Sequence, residues 1–292
     1  MTIRKYIILV SLLLNVTAAS GCGQLLNATV GSYAVSQEAV AAEDALGLYE
    51  ITDIDKKTDS DEIIKLQVEN LVSGTMTDDY SFEEGILTIQ KAGAYELSGK
   101  TNGCRIVIRV YDDEIVQLLL NGVELNAAQG PVIYVERAGK VLITSREGTS
   151  NIISDGPEYE DDKEACIFSN ADLTLNGEGE LNVYGYYHDA IRSKDRIKAV
   201  GAKLYVRAKN NGIRGNDGVF LSGSSIVIES EGTGILAKAE SDFVVIKGGS
   251  CKVTAGENAV SATDYVSISD CEYDLYAVKE AVRCSGVKEI DE

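Results

Sequence analysis

The chain has 292 residues, with 46 Asp and Glu against 27 Lys and Arg, one His, six Cys, two Pro and no Trp. A formal charge of −19 repels phosphate backbones and argues against nucleic-acid binding, while a single His leaves little room for a zinc centre or a Ser-His-Asp triad. At 45% hydrophobic the chain is too apolar for disorder, and 7% aromatic content without Trp argues against a sugar groove of stacked rings.

In chain order the first signal is a leader. Arg4 and Lys5 precede the apolar run Tyr6 to Leu14, which is too short to span a bilayer as a helix, and small residues follow. Residues 1–21 therefore read as a signal peptide. The end, Ala19-Ser20-Gly21-Cys22, resembles a bacterial lipobox, in which Cys22 becomes the lipidated first residue; ordinary signal cleavage is the plainer alternative. The expected product is an exported, membrane-tethered lipoprotein facing the cell surface. Removing residues 1–21 takes away two positive charges and no acids, leaving the mature chain 21 units negative.

Residues 22–80 read as a tether. Gln37 to Leu48 has the pattern of a short helix, and Asp53 to Asp61 (DIDKKTDSD) that of a solvated charged stretch. From about residue 81 the texture changes to short runs of β-branched residues bounded by Gly, Asn, Asp or Ser, as in ILTI from Ile86 and VLIT from Val141. Strands are expected throughout 81–292.

The second half repeats. An apolar residue follows a small one at Ile191, Ile213, Ile235, Val260 and Val282, at intervals of 22, 22, 25 and 22 residues, and Ile167 lies 24 residues upstream. Three short strands per 22 residues leave no room for a helix, so the pattern predicts an all-β fold: a single-stranded right-handed parallel β-helix. Stacked coils predict ladders. The inward ones are Leu204/Ile226/Cys251/Tyr273 and Val206/Ile228/Val253/Leu275. A small-residue ladder runs Cys166/Ala190/Gly212/Gly234/Ala259/Ala281, and another takes Ser193/Gly215/Ala237/Ala262 to Cys284. These positions make Cys166, Cys251 and Cys284 structural thiols. Five cysteines remain after Cys22, so they cannot all pair with one another.

Four segments, DEIVQLLLNGVELNAAQGPVIYVERAGKVLIT at 113–144, EGTSNIISDGPEYEDDKEACIFSNADLTLNGEGELNVYG at 147–185, HDAIRSKDRI at 188–197 and NNGIRGNDGV at 210–219, carry a resemblance. They resemble the carbohydrate-binding β-helix surface proteins of clostridia and their relatives, a family similar in fold to family-9 pectate lyases. The resemblance implies calcium-dependent binding of polygalacturonate without lyase activity. It also implies acids recurring before the anchor on successive coils. Here the ladder two residues before the anchor reads Asp189, Asn211, Thr233, Asn258, Glu280, and the next one out His188, Asn210, Gly232, Glu257, Lys279.

An acidic protein can hold an acidic polymer only through a bridging cation or through local basic side chains. Ca²⁺ takes six to eight oxygens, which stacked Asp and Asn side chains can supply. The expected metal ligands are Asp189, Asn210 and Asn211, with Asp195 and Asp217 at the following turn. Arg192, Arg214 and Lys194 lie close in register and are expected to contact uronate carboxylates. The same Asx residues could simply bond neighbouring backbone N–H groups. The loop from Asp155 to Ala165 carries five acids between Glu158 and Glu164 and offers a second calcium site through Asp161 and Asp162, or a solvated excursion. No catalytic residue is assigned. Basic residues beside a metal also suit β-elimination, with Lys209 among the candidate bases, so a lyase is one alternative, and a surface scaffold without sugar binding is the other. A monomer is expected.

Overall fold

The computed structural model describes residues 50–159, 163–239 and 242–291. The leader, Cys22, the expected helix at Gln37 to Leu48, and Asp161 and Asp162 fall outside these. No helix among the described residues is long and apolar enough to cross a membrane.

The strands coil into a parallel β-solenoid of about 8 turns at roughly 24-residue spacing. Face I is built from short strands, among them Arg105–Arg109, Ile133–Arg137, Ala165–Ser169, Asp189–Ser193, Ile213–Gly215, Ile235–Ala237, Val260–Ala262 and Val282–Cys284. Register pairing carries Ile106 to Ile133, Ile167, Ile191, Ile213, Ile235, Val260 and Val282, at intervals of 27, 34, 24, 22, 22, 25 and 22 residues. The interval of 34 contains the acidic loop. Face II includes Lys140–Ser145, Asp172–Asn176, Arg196–Val200 and Tyr265–Ser269. Face III includes Ser150–Ser154, Glu180–Gly185, Lys203–Ala208 and Glu272–Ala277. Long strands such as Gly218–Ser230 and Phe243–Ala255 bend from face II into face III. At that bend Gly249 has φ +78, and a Cβ there would collide with the Ser224 carbonyl oxygen, so glycine is required.

The ladders fall where the repeat predicts. Leu204, Ile226, Cys251 and Tyr273 pair in register, as do Val206, Ile228, Val253 and Leu275. One continuous apolar core runs from Leu66 to Ile268, and each fully buried aliphatic side chain contributes about 1.5–3 kcal/mol. Tyr273 differs from the other members of its ladder in being 38% exposed, because it sits on the last coil. On face II the inward ladder Ile197/Val219/Val244/Val266 ends in Lys288, whose Nζ donates to the Val282 carbonyl at 3.0 Å. Cys104, Cys166 and Cys251 are buried, and Cys284 is half-buried in its predicted ladder. Burial pushes the thiols up, that of Cys104 to about 11 and that of Cys251 to about 12, which suits inert packing rather than chemistry.

The expected tether over 22–80 is structured from residue 50 onward. Ile63–Gln67 adds a parallel strand to Ala94–Ser98 on face II, and Tyr80–Glu83 pairs antiparallel with Ile86–Ile89. The stretch from Asp53 to Asp61 is not simply solvated, since Asp55 is fully buried against the outer side of face II. Lys140 Nζ reaches its Oδ1 at 2.6 Å, Lys198 Nζ its Oδ2 at 2.9 Å, and the Thr174 hydroxyl donates to Oδ1 at 2.8 Å. Burial would raise this carboxyl, but the two ammonium groups outweigh it and hold it well below the usual carboxylate range. A continuous run of acids and lysines looks solvated because its partners lie 85 and 143 residues away.

Candidate functional site

Asp189 opens the strand Asp189–Ser193 at the corner between faces III and I, and its side chain is fully buried. Oδ1 accepts from Asn211 N at 3.0 Å, Asn211 Nδ2 at 2.8 Å and Asn210 Nδ2 at 2.9 Å, with His188 Nδ1 at 3.1 Å. The bond to Asp189 raises the His188 imidazole, and burial opposes it. The Asx pattern continues upward, Asn211 Oδ1 accepting from Thr233 N at 3.2 Å. So the ladder does bond backbone N–H groups between coils, as short Asx side chains do at turns.

Two oxygens and two nitrogens are left over. Asp189 Oδ2 is buried and has no hydrogen bond among the described residues, although Arg214 Nη1 stands 4.0 Å away. The Nε atoms of Arg192 and Arg214 and the Oδ1 of Asn258 are likewise buried without partners among them. Groups of this kind cost about 1–3 kcal/mol each when left unsatisfied, so they mark where a ligand would be welcome.

Arg192 and Arg214 pair in register on adjacent coils and point outward from face I. Their side chains are 16% and 18% exposed. Burial lowers the ionisation of Arg214, and the neighbouring charge of Arg192 lowers it further, while Asp189 and Glu164 oppose this. Glu164 Oε2 stands 3.7 Å from Arg192 Nη1 and 3.9 Å from His188 Nε2. Phe168, one coil before Arg192, holds Arg192 at 5.5 Å and Lys194 at 5.8 Å from its ring centre. From Arg214 an open, polar groove of about 610 Å³ runs along face I, past Leu236, to Arg283.

Asp189, Asn210, Asn211, Arg192 and Arg214 thus come together, with Lys194 joined to them through Phe168. Asp195 and Asp217 do not join them. They lie past the opposite end of the face I strand, roughly 15–20 Å from Asp189 at ordinary strand rise. There Asp195 stacks with Asp172 and Asp217, and burial first, then those two charges, raise its carboxyl. Arg196 already clasps Asp172 at 2.8 and 3.1 Å. Among the described residues no group of three or more His, Cys, Asp or Glu is placed to hold a metal ion. Glu164, Leu236 and Arg283 were not singled out by the sequence. Leu236 and Arg283 could have been, since each follows an anchor residue as Arg192 and Arg214 do; Glu164 sits in the interruption of the repeat and carries no periodic signal.

Calcium fits the Asp189 corner poorly as it is arranged. Three donors occupy Oδ1, two amide nitrogens face the carboxylate, and Arg214 and His188 stand beside it, which leaves one anionic oxygen for a cation that takes six to eight.

The chain is thus a parallel β-solenoid with a polar, arginine-edged groove on one face. A model described as carbohydrate-binding domain-containing protein matches residues 83–290, and the chain belongs to that family. It is 30% identical to a carbohydrate-binding domain-containing protein of Acetivibrio thermocellus over 302 residues, covering all of this chain and 97% of the relative. A solved structure described as the polysaccharide lyase-like protein from C. thermocellum, a gadolinium derivative, superposes with a TM-score of 0.74 at 30% identity, over 79% of this chain and 96% of that one.

Proposed function

We propose that this protein binds an acidic, pectin-like polysaccharide without cleaving it, and that Arg192 and Arg214 grip its carboxylates directly. One observation carries the reading: two mostly buried guanidiniums stacked in register, each with an unused Nε, at the mouth of a polar groove. Like charges one coil apart repel, and a carboxylate between them would relieve the repulsion while taking fork-like hydrogen bonds. Family membership supports a carbohydrate partner.

A calcium bridge is the second reading, and the buried, unbonded Asp189 Oδ2 favours it. Retention on immobilised polygalacturonate separates the two. Direct recognition predicts retention that survives a chelator and falls at least tenfold in Arg214→Ala. Loss with the chelator and survival in Arg214→Ala would establish the bridge instead, and Asp189→Ala should then weaken calcium binding more than Asp264→Ala. No retention at all would leave a surface scaffold. Basic side chains beside an acidic corner also suit β-elimination, so ultraviolet absorbance of unsaturated products should be followed. We expect a flat trace; a rising one would make the protein a lyase.

Display at the surface would follow from lipidation of Cys22 after leader removal. Mass spectrometry of the membrane fraction should find an acylated N-terminal Cys22, and Cys22→Ser should release the protein.

A further inference from the structure

The outer side of face I carries one side chain per coil in a single column: Phe168, Arg192, Arg214, Leu236, Ser261, Arg283. The groove follows this column rather than crossing it, from Arg214 to Arg283. Coils are one strand spacing apart, so Arg214 and Arg283 are separated by roughly 14 Å, three spacings of about 4.8 Å. Between them the column itself is uncharged, Leu236 and then Ser261, while Lys238 and Glu257 also line the groove. On the wall, Asn258 is 4% exposed and its Oδ1 has no hydrogen bond among the described residues, an acceptor suited to a hydroxyl.

A 1,4-linked pyranose chain advances by about the same distance per sugar as the solenoid does per coil. A chain laid along the axis can therefore keep step with the column, whereas a chain crossing it would meet a single arginine.

We propose that the groove takes a linear uronate chain parallel to the solenoid axis, about one sugar per coil, with carboxylates at Arg214 and Arg283 and an uncharged edge over Leu236. This rests on the acidic-polysaccharide reading and adds one property to it. Binding has a length threshold, because only a chain of about four sugars reaches both arginines.

Calorimetric titration with oligogalacturonates from dimer to hexamer tests this in the full chain. Wild type should gain at least fivefold in affinity between the dimer and the tetramer. In Arg283→Ala that step should vanish while dimer binding stays as in wild type. Arg283 is exposed, and unchanged melting of this variant and of Arg283→Gln would show that the fold is intact. Equal weakening at all lengths, an unchanged hexamer, or a smooth rise without a step would overturn the axial arrangement while leaving acidic-polysaccharide binding in place. Failure of every oligomer to bind wild type would sink both.

Discussion

Asp55 and Asp189 are both fully buried carboxylates, yet they are finished differently. Asp55 meets two ammonium groups and two hydroxyls, so both oxygens are satisfied. Asp189 spends one oxygen on the corner of the coil and leaves the other buried without a hydrogen bond among the described residues, 4.0 Å from Arg214 Nη1. The difference separates a group that holds the 50–61 segment to the solenoid from one that ties coils together with an oxygen to spare. A buried charge is evidence of function only when its partners fail to use it up.

The largest expected effect breaks the first of the pair. Asp55→Ala would leave Lys140 and Lys198 facing one another without a counter-charge and should cost about 3–5 kcal/mol in urea unfolding. Asp189→Asn keeps the shape of the corner and should cost less, about 1–3 kcal/mol, with the greater change in sugar retention. If Asp189→Asn proved the more destabilising, the contrast between the two would collapse.

pH sharpens the contrast through a third carboxylate. Asp155 is buried, accepts from Tyr159 Oη at 2.7 Å and Tyr186 N at 2.5 Å, and burial pushes it up to about 6. Its folded value lies above its unfolded one near 3.9, so the fold gains up to about 2–3 kcal/mol as pH falls from 7 to 4, and Asp155→Asn should remove that slope. Asp55 has the opposite sign: its folded value lies below the unfolded one, so its stabilisation is complete above about pH 5 and is lost below. Urea midpoints measured across this range should show both limbs in wild type and one in each variant.

An effect of the same size as that of Asp189→Asn is expected on stacking. A Cβ at Gly212 would sit 2.5 Å from Ile228 Cγ2 and 2.6 Å from the Gly234 oxygen. Gly212→Ala should cost about 1–3 kcal/mol. It lies beside Asn211, so a loss of sugar retention without a loss of stability would show that the small-residue ladder shapes the site more than the core.

Periodicity made the solenoid legible. Small-residue positions, inward ladders and the structural thiols are all consequences of one repeating length, and each is visible in a single chain. The Asp189 corner and the two stacked arginines were legible for the same reason. What the repeat could not reveal lies outside it. Asp55 has no periodic partner, and Glu164 reaches the arginines from an inserted loop. Separating Asp189 from Asp195 needed the strand's length, because six residues that look adjacent in sequence are spread along one face of the coil. Composition did not show local gathering either: fifteen tyrosines are a modest fraction, but stacking brings Tyr159 and Tyr187 4.3 Å apart and sets Tyr184 beside Tyr186 and Tyr205.

Lys288 stands on Val266, where the ladder would otherwise carry a further hydrophobic side chain. Any coil laid over it would have to strip water from an ammonium group. A further layer added over this end, whether a duplicated coil or a second copy, would bear that cost, whereas a coil duplicated in the middle of the ladder would not.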